Sequence, residues 1–230
     1  MTTPRRGKGA RPKLVGVIAS ESDLRLASRM PRPPDLFELR LDSLFPVSNQ
    51  LEKKIPYLGA PFIITARDPR EGGTGSLSRP TRLDLLERFL PFASYIDVEL
   101  ALADVFAPLL GDAKKRGVRR ILSYHNFKTT PPLRTLAAKA RVARAHDADI
   151  FKVATRTDTA AAITRLVDLV TDLHSHLPVS AMGIGKLGAI SRLLLARCGS
   201  VLNYAAITQS NVEGQTSLEL LRSALIHDQI

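Results

Sequence analysis

Eight short apolar runs recur along this chain, each of strand length and each followed by a turn or polar stretch. They cover residues 13–19, 36–42, 62–67, 95–100, 119–125, 150–155, 179–184 and 200–207. Most are rich in β-branched or aromatic side chains, which suit a pleated, buried surface. Between them lie segments of helical period, clearest at 133–146, 158–176 and 189–197, with 218–226 after the last run. Thr157 and Asp158 offer a helix start, and Pro178 follows a helix end. Strands alternating with helices build a parallel sheet. Eight such units in 230 residues predict an α/β fold closed as a (β/α)8 TIM barrel. A doubly wound open sheet is the alternative. No linker or composition shift divides the chain, so residues 13–230 are expected to form one barrel behind a disordered basic tail, 1–12.

Arg5, Arg6, Lys8, Arg11 and Lys13 bring five positive charges to a chain of net charge +11. A basic arm can touch nucleic acid or a membrane surface. No recognition motif accompanies this one, Trp is absent and aromatics are few, so neither nucleic acid nor membrane is expected as a partner. The rest of the positive excess suits an anionic small substrate. Cys198 is the only cysteine, which excludes an internal disulfide and fits a reducing compartment. The first apolar run is too short for a signal-peptide core, and no run approaches the length of a membrane span. A cytoplasmic location is the expectation.

Polar residues inside the strand runs carry the functional signal. Lys152 sits in Ile150-Phe151-Lys152-Val153-Ala154, where continuous hydrophobics are the rule for a strand buried on both faces. Burial disfavours an ammonium, and a neutral amine is a nucleophile that forms a Schiff base with a carbonyl. A structural lysine in an ion pair is the bland alternative. Glu38, Arg40 and Asp42 alternate with Phe37, Leu39 and Leu41, so the three charges share one face, pointing into the barrel or its mouth. They need mutual pairing or a ligand there. Thr65 and Arg67 share a face of the third strand, Asp97 and Glu99 of the fourth, Ser123 and His125 of the fifth. His125 falls at a strand's C-terminal end, where a barrel keeps its chemistry. The Gly-rich segment 68–80 after the third strand is a long loop on that same face.

Two patterns lead nowhere. His174 and His176 diverge on a helix, cannot clamp one ion well and are expected at the surface. Gly183-Ile184-Gly185-Lys186-Leu187-Gly188 matches the dinucleotide fingerprint, but no acidic residue follows at the end of the next strand and too little chain remains for that fold. The helix opening there still suits an anion, with Arg192 one turn in.

Taken in order, Glu38-Leu-Arg40-Leu-Asp42, Arg67 with Glu71-Gly-Gly, Ser123-Tyr-His125-Asn-Phe, Phe151-Lys152-Val153-Ala154, Met182-Gly183 through Ser191-Arg192, and Gly214-Gln215 resemble the type I 3-dehydroquinate dehydratases of the shikimate pathway. The resemblance spans residues 14 to about 225. It implies a (β/α)8 barrel that dehydrates 3-dehydroquinate to 3-dehydroshikimate, without metal or organic cofactor and often as a homodimer. In that scheme Lys152 forms the imine and His125 is the general base and acid. Glu71 orients His125 and supports its charged form. Glu38, Arg40 and Arg67 bind the ring's hydroxyl and ketone side, and Arg192 and Gln215 take the carboxylate. The family's lid usually reads Ser-x-Pro-Gly-Gln; here it is Asn211-Val212-Glu213-Gly214-Gln215. Asn211 can still donate a hydrogen bond. Glu213 is expected to loosen lid closure or weaken binding of an anionic substrate. Another lysine Schiff-base aldolase-type lyase, and a barrel kept as a non-catalytic binding scaffold, are the rival readings.

Overall fold

The computed structural model describes residues 11–173, 177–208 and 212–226. Residues 1–10 of the basic tail, His174, His176 and Asn211 lie outside the described residues. The strands are β1 (Lys13–Ile18), β2 (Leu36–Arg40), β3 (Phe62–Thr65), β4 (Tyr95–Glu99), β5 (Arg119–Asn126), β6 (Ile150–Arg156), β7 (Val179–Ile184) and β8 (Leu202–Ala206). The helices are α1 (Glu21–Ala27), α2 (Ser48–Lys54), α3 (Arg79–Phe89), α4 (Ala107–Lys115), α5 (Leu133–Ala145), α6 (Ala160–Leu173), α7 (Gly188–Cys198) and α8 (Leu218–Ile226). Strand neighbours run β7-β6-β5-β4-β3-β2-β1-β8, every ladder parallel. The β7–β8 seam is drawn together by Val201 N–H donating to the Val179 carbonyl (3.0 Å) and Ser180 Oγ donating to the Leu202 carbonyl (2.6 Å). The sheet therefore closes as a (β/α)8 barrel rather than staying open.

The two-residue period of a strand explains where the core ends and the site begins. Leu36, Ile63, Tyr95, Ile121, Ile150 and Leu202 belong to one apolar cluster inside the barrel. Two residues further along, the same faces carry Glu38, Thr65, Asp97, Ser123, Lys152 and Tyr204, all buried. The alternate residues, among them Phe37, Leu39, Ile64, Ile96, Leu122, Phe151 and Val153, pack outward with the helices in a second, larger cluster. An apolar plug thus fills the N-terminal half of the barrel and a polar layer rests on it, as alternation demands of strands buried on both faces.

Element ends differ from the apolar runs for identifiable reasons. β2 and β3 stop early because Asp42 competes for backbone donors: its carboxylate accepts from the N–H groups of Arg67 (3.1 Å) and Thr74 (2.9 Å). Helix α6 starts later than Thr157-Asp158. Thr159 Oγ1 accepts from Ala162 N–H, whereas Thr157 donates to the Thr155 carbonyl and Asp158 is engaged by Arg156 and Lys186 N–H. The glycines of 183–188 serve close packing. A Cβ at Gly183 would stand 2.2 Å from Ser191 Oγ, and one at Gly188 only 2.9 Å from Gly214 Cα, so α7 and the loop after β8 meet backbone to backbone. Among the described residues no helix is long and apolar enough to cross a membrane.

Candidate active site

A cavity of about 700 Å³ opens above the polar layer, at the C-terminal ends of the strands. Eight of the nine expected site residues line it: Glu38, Arg40, Arg67, Glu71, His125, Lys152, Arg192 and Gln215. The ninth, Asn211, lies outside the described residues.

Lys152 is 4% exposed on β6. Its Nζ donates to Glu38 Oε1 (3.0 Å) across the barrel and to Asp97 Oδ2 (2.9 Å). It is therefore ion-paired, as the bland reading had it, and at the same time lines the cavity. Glu38 also accepts from Thr65 Oγ1 (2.9 Å). Arg67 binds Asp97 (2.9 Å), Glu99 (3.1 Å) and Ser123 Oγ (2.6 Å). Burial opposes charge on both Arg67 and Asp97, yet their mutual attraction wins. The guanidinium is raised by Asp97, Glu99 and Glu38, and the Asp97 carboxyl is lowered by Arg67 and Lys152. The inner charges are satisfied by one another, as buried charges must be.

His125, at the end of β5, reaches Glu71 through Nδ1 (3.0 Å from Oε2), and the same carboxylate oxygen accepts from the His125 backbone N–H (3.1 Å). Glu71 is placed by a tight turn. Asp68 caps it by accepting from Arg70 N–H (2.9 Å), and Gly72 closes it at φ +86°. Gly72 also lies against the ring of Phe127, which leaves no room for a Cβ. Burial pushes the Glu71 carboxyl up to about 7. Burial, reinforced by Arg67 and Lys152, holds the His125 imidazole well below its ordinary range. His125 is accordingly neutral, and it is hydrogen-bonded to a carboxyl that gives up its proton only near pH 7. The charged imidazole that Glu71 would support arises only when His125 takes up a proton.

Arg40 is clamped by Asp42 (3.0 and 2.8 Å) and donates to the Gly72 carbonyl (3.1 Å), tying β2 to the Glu71 turn. Arg192 differs from every other cation of the site. It is 5% exposed, donates through Nη1 to the Tyr204 carbonyl (3.0 Å), and its Nε has no hydrogen-bond partner. No carboxylate among the described residues faces it, and burial alone brings its guanidinium down to about 10. A buried, uncompensated guanidinium is a receptor for an anion. Glu213, expected to weigh against an anionic substrate, lines the cavity and is paired with Arg156 (3.0 Å), which also binds Asp158 (2.7 Å). Among the described residues no group of three or more His, Cys, Asp or Glu side chains is placed to hold a metal ion.

Some participants escaped the sequence reading. Asp97 and Glu99 were visible as one face of β4, but nothing local said that Asp97 would meet Lys152. The same alternation that marked Glu38 and Arg40 could have flagged it. Arg82 of α3, 1% exposed, holds Glu99 (2.5 Å), Asp68 (2.9 Å) and the Ala66 carbonyl (2.7 Å), fixing the network from outside. In sequence it is one arginine of an ordinary helix. Tyr204 carries no signal of its own in the sequence, because aromatic residues are common in buried strands.

The family model for type I 3-dehydroquinase matches residues 16–230. The 3-dehydroquinate dehydratase of Shouchella clausii is 33% identical over 237 residues, 97% of this chain and 92% of that protein. The crystal structure of 3-dehydroquinate dehydratase from Geobacillus kaustophilus superposes with a TM-score of 0.85 at 28% identity, over 94% of this chain and 91% of that one. A type I 3-dehydroquinate dehydratase from Clostridium difficile, solved with covalent modified comenic acid, gives a TM-score of 0.85 at 25% identity, over 97% and 95% of the two chains.

Proposed function

The chain belongs to the type I 3-dehydroquinase family, a family of hydro-lyases, and on that premise we propose that it removes water from 3-dehydroquinate through an imine on Lys152. The observation that carries this reading is the placement of Lys152 Nζ, buried between Glu38 and Asp97 and lining a cavity that also holds His125 and the Arg192 guanidinium, whose Nε has no hydrogen-bond partner among the described residues. The relative solved with a covalent modified acid supports covalent chemistry in a barrel of this kind.

The substrate carboxylate docks on Arg192, assisted by Gln215, which also lines the cavity. That anchor sets the C3 ketone against Lys152. The ammonium gives up a proton to one of the carboxylates in contact with it, and the amine attacks C3. Loss of water from the carbinolamine leaves an iminium. The iminium draws electrons from C2, whose proton passes to neutral His125. Its Nδ1 side is occupied by Glu71, so Nε2 is the nitrogen left to face the substrate. The electron pair of the broken C2–H bond forms the C1–C2 double bond as the C1 hydroxyl departs, protonated by the imidazolium. Hydrolysis of the imine returns the lysine and releases 3-dehydroshikimate. Glu71, uncharged or charged as the proton moves, holds the imidazole in register throughout.

The same reading makes a small molecule the partner, with a homodimer as the assembly to test by light scattering. A single cysteine is in keeping with a cytoplasmic location. The deciding experiment is borohydride reduction in the presence of 3-dehydroquinate, read by intact mass and peptide mapping. A ligand-sized adduct on Lys152, absent in Lys152→Met, is expected. A folded protein that turns over substrate without forming an adduct would refute the imine.

A further inference from the structure

An ammonium carries three N–H donors. At Lys152, Glu38 and Asp97 take two of them. The third neighbour is an aromatic face: Nζ stands 3.9 Å from the centroid of the Tyr204 ring. At that distance, with both side chains buried, the ring quadrupole adds a third attraction on the ammonium. The Tyr204 hydroxyl is buried and has no hydrogen-bond partner among the described residues, so its contact with Lys152 is made through the ring.

We propose that Tyr204 is a positioning residue whose ring face is the third partner of Lys152 Nζ, holding that amine at the spot where it must attack the substrate ketone. The inference rests on the imine reading above and adds a residue to it. Between two carboxylates alone the Nζ would be free to swing out into the cavity. The ring closes that third side and keeps the amine where the Arg192-anchored ketone arrives. Weakening the ring removes one of three attractions on the ammonium, which the pH dependence of trapping reads. The charged and titratable groups around the pair are Glu38 from β2, Arg67 after β3, Asp97 and Tyr95 from β4, His125 from β5, and Arg192 from α7, whose Nη1 donates to the Tyr204 carbonyl. All are shared by variants at position 204, so a difference between such variants isolates the ring.

The test is rapid borohydride trapping on the full-length enzyme with 3-dehydroquinate from pH 5 to 9, comparing wild type, Tyr204→Phe, Tyr204→Leu and a protein carrying a ring-fluorinated phenylalanine at position 204. Tyr204→Phe retains the ring and is expected to trap with the wild-type pH midpoint. Tyr204→Leu is expected to move the midpoint to lower pH by roughly half to one and a half pH units, the range of a desolvated cation–π contact. Its kcat falls more than its KM rises. The fluorinated ring keeps the shape but weakens the quadrupole, and shifts the midpoint in the same direction, which decides the matter should the leucine variant not fold. An unmoved midpoint in both ring-weakened proteins, or a Phe variant that moves as far as Leu, overturns the proposal. Failure of wild type to trap at all overturns the imine itself, and is told apart because in the former cases wild type still forms the adduct.

Discussion

Replacing Glu71 by glutamine should stabilise the fold in a pH-dependent way while damaging turnover. Burial raises the Glu71 carboxyl from an ordinary 4.5 to about 7. A carboxyl raised in the folded state favours folding fully only below its unfolded value, where it is protonated in both states. That advantage is lost as pH rises from 4.5 through 7, because the folded protein must then hold a buried anion. The gap corresponds to about 3 kcal/mol at 1.36 kcal/mol per tenfold. The Glu71 side chain is 16% exposed, so the figure is a ceiling. Glutamine is neutral throughout. The stability difference between Glu71→Gln and wild type should therefore be near zero at pH 4.5, rise across neutrality, and level off above pH 7.5 at between about 1 and 3 kcal/mol. For a chain of this size that is roughly 2–12 °C in Tm. His125 contributes with the opposite sign: held neutral in the fold, it costs stability as pH falls below its ordinary value. Where that cost arises, at lower pH, Glu71 is itself largely protonated, so little of it enters the difference. Turnover should fall by about a hundredfold, because the imidazolium loses its anionic partner. Urea unfolding of both proteins at half-unit intervals from pH 4.5 to 8.5 provides the curve. A difference that stays flat with pH, or a glutamine variant less stable at pH 8, would refute the burial argument.

Three further outcomes follow from the same geometry. His125→Asn should lower kcat by about 10²–10⁴ while leaving the borohydride adduct on Lys152; loss of the adduct together with turnover would move His125 into imine formation. Arg192→Leu should raise KM at least about tenfold with a smaller change in kcat. It should leave the ligand-free protein no less stable, since the guanidinium it removes has no carboxylate to leave behind; a marked loss of stability in thermal unfolding would mean the guanidinium is compensated after all. Gly73→Ala should cost more than about tenfold in kcat, because its Cβ would meet the Arg67 carbonyl oxygen at 2.2 Å and push the Glu71 turn away from His125. Wild-type kinetics with an unchanged circular dichroism spectrum would show that the turn absorbs the methyl group.

Much of the site was legible in the strand pattern. A charge at every second position of β2, a histidine ending β5 and a lysine inside β6 all signal inward-facing polar groups, because a strand's alternation is local and survives into the fold. The exceptions share a cause. Helix α1 is capped by Ser20, which accepts from Asp23 N–H (3.1 Å), yet it is only seven residues long and shows no clear period, so it does not announce itself. Asp158 looked like a helix start and became a partner of Arg156 and of Lys186 N–H, because a short polar side chain goes to whichever donors the fold brings near. Glu213 lines the cavity and also pairs with Arg156, contributed by a strand two places away in the barrel, a partner that its place in the lid does not announce.

By itself the sequence determined the period of each element, hence the barrel, hence which side chains face inward and at which end they gather. Pairing and charge state were decided only by tertiary structure. Lys152 meets Glu38 across 114 residues of chain and Asp97 across 55, contacts that exist because the sheet closes. The neutral state of His125, the raised Glu71 carboxyl and the uncompensated Arg192 follow from burial and from which charges end up close. Those are distances through space, and a one-dimensional pattern carries no record of them until the eight strands have come together.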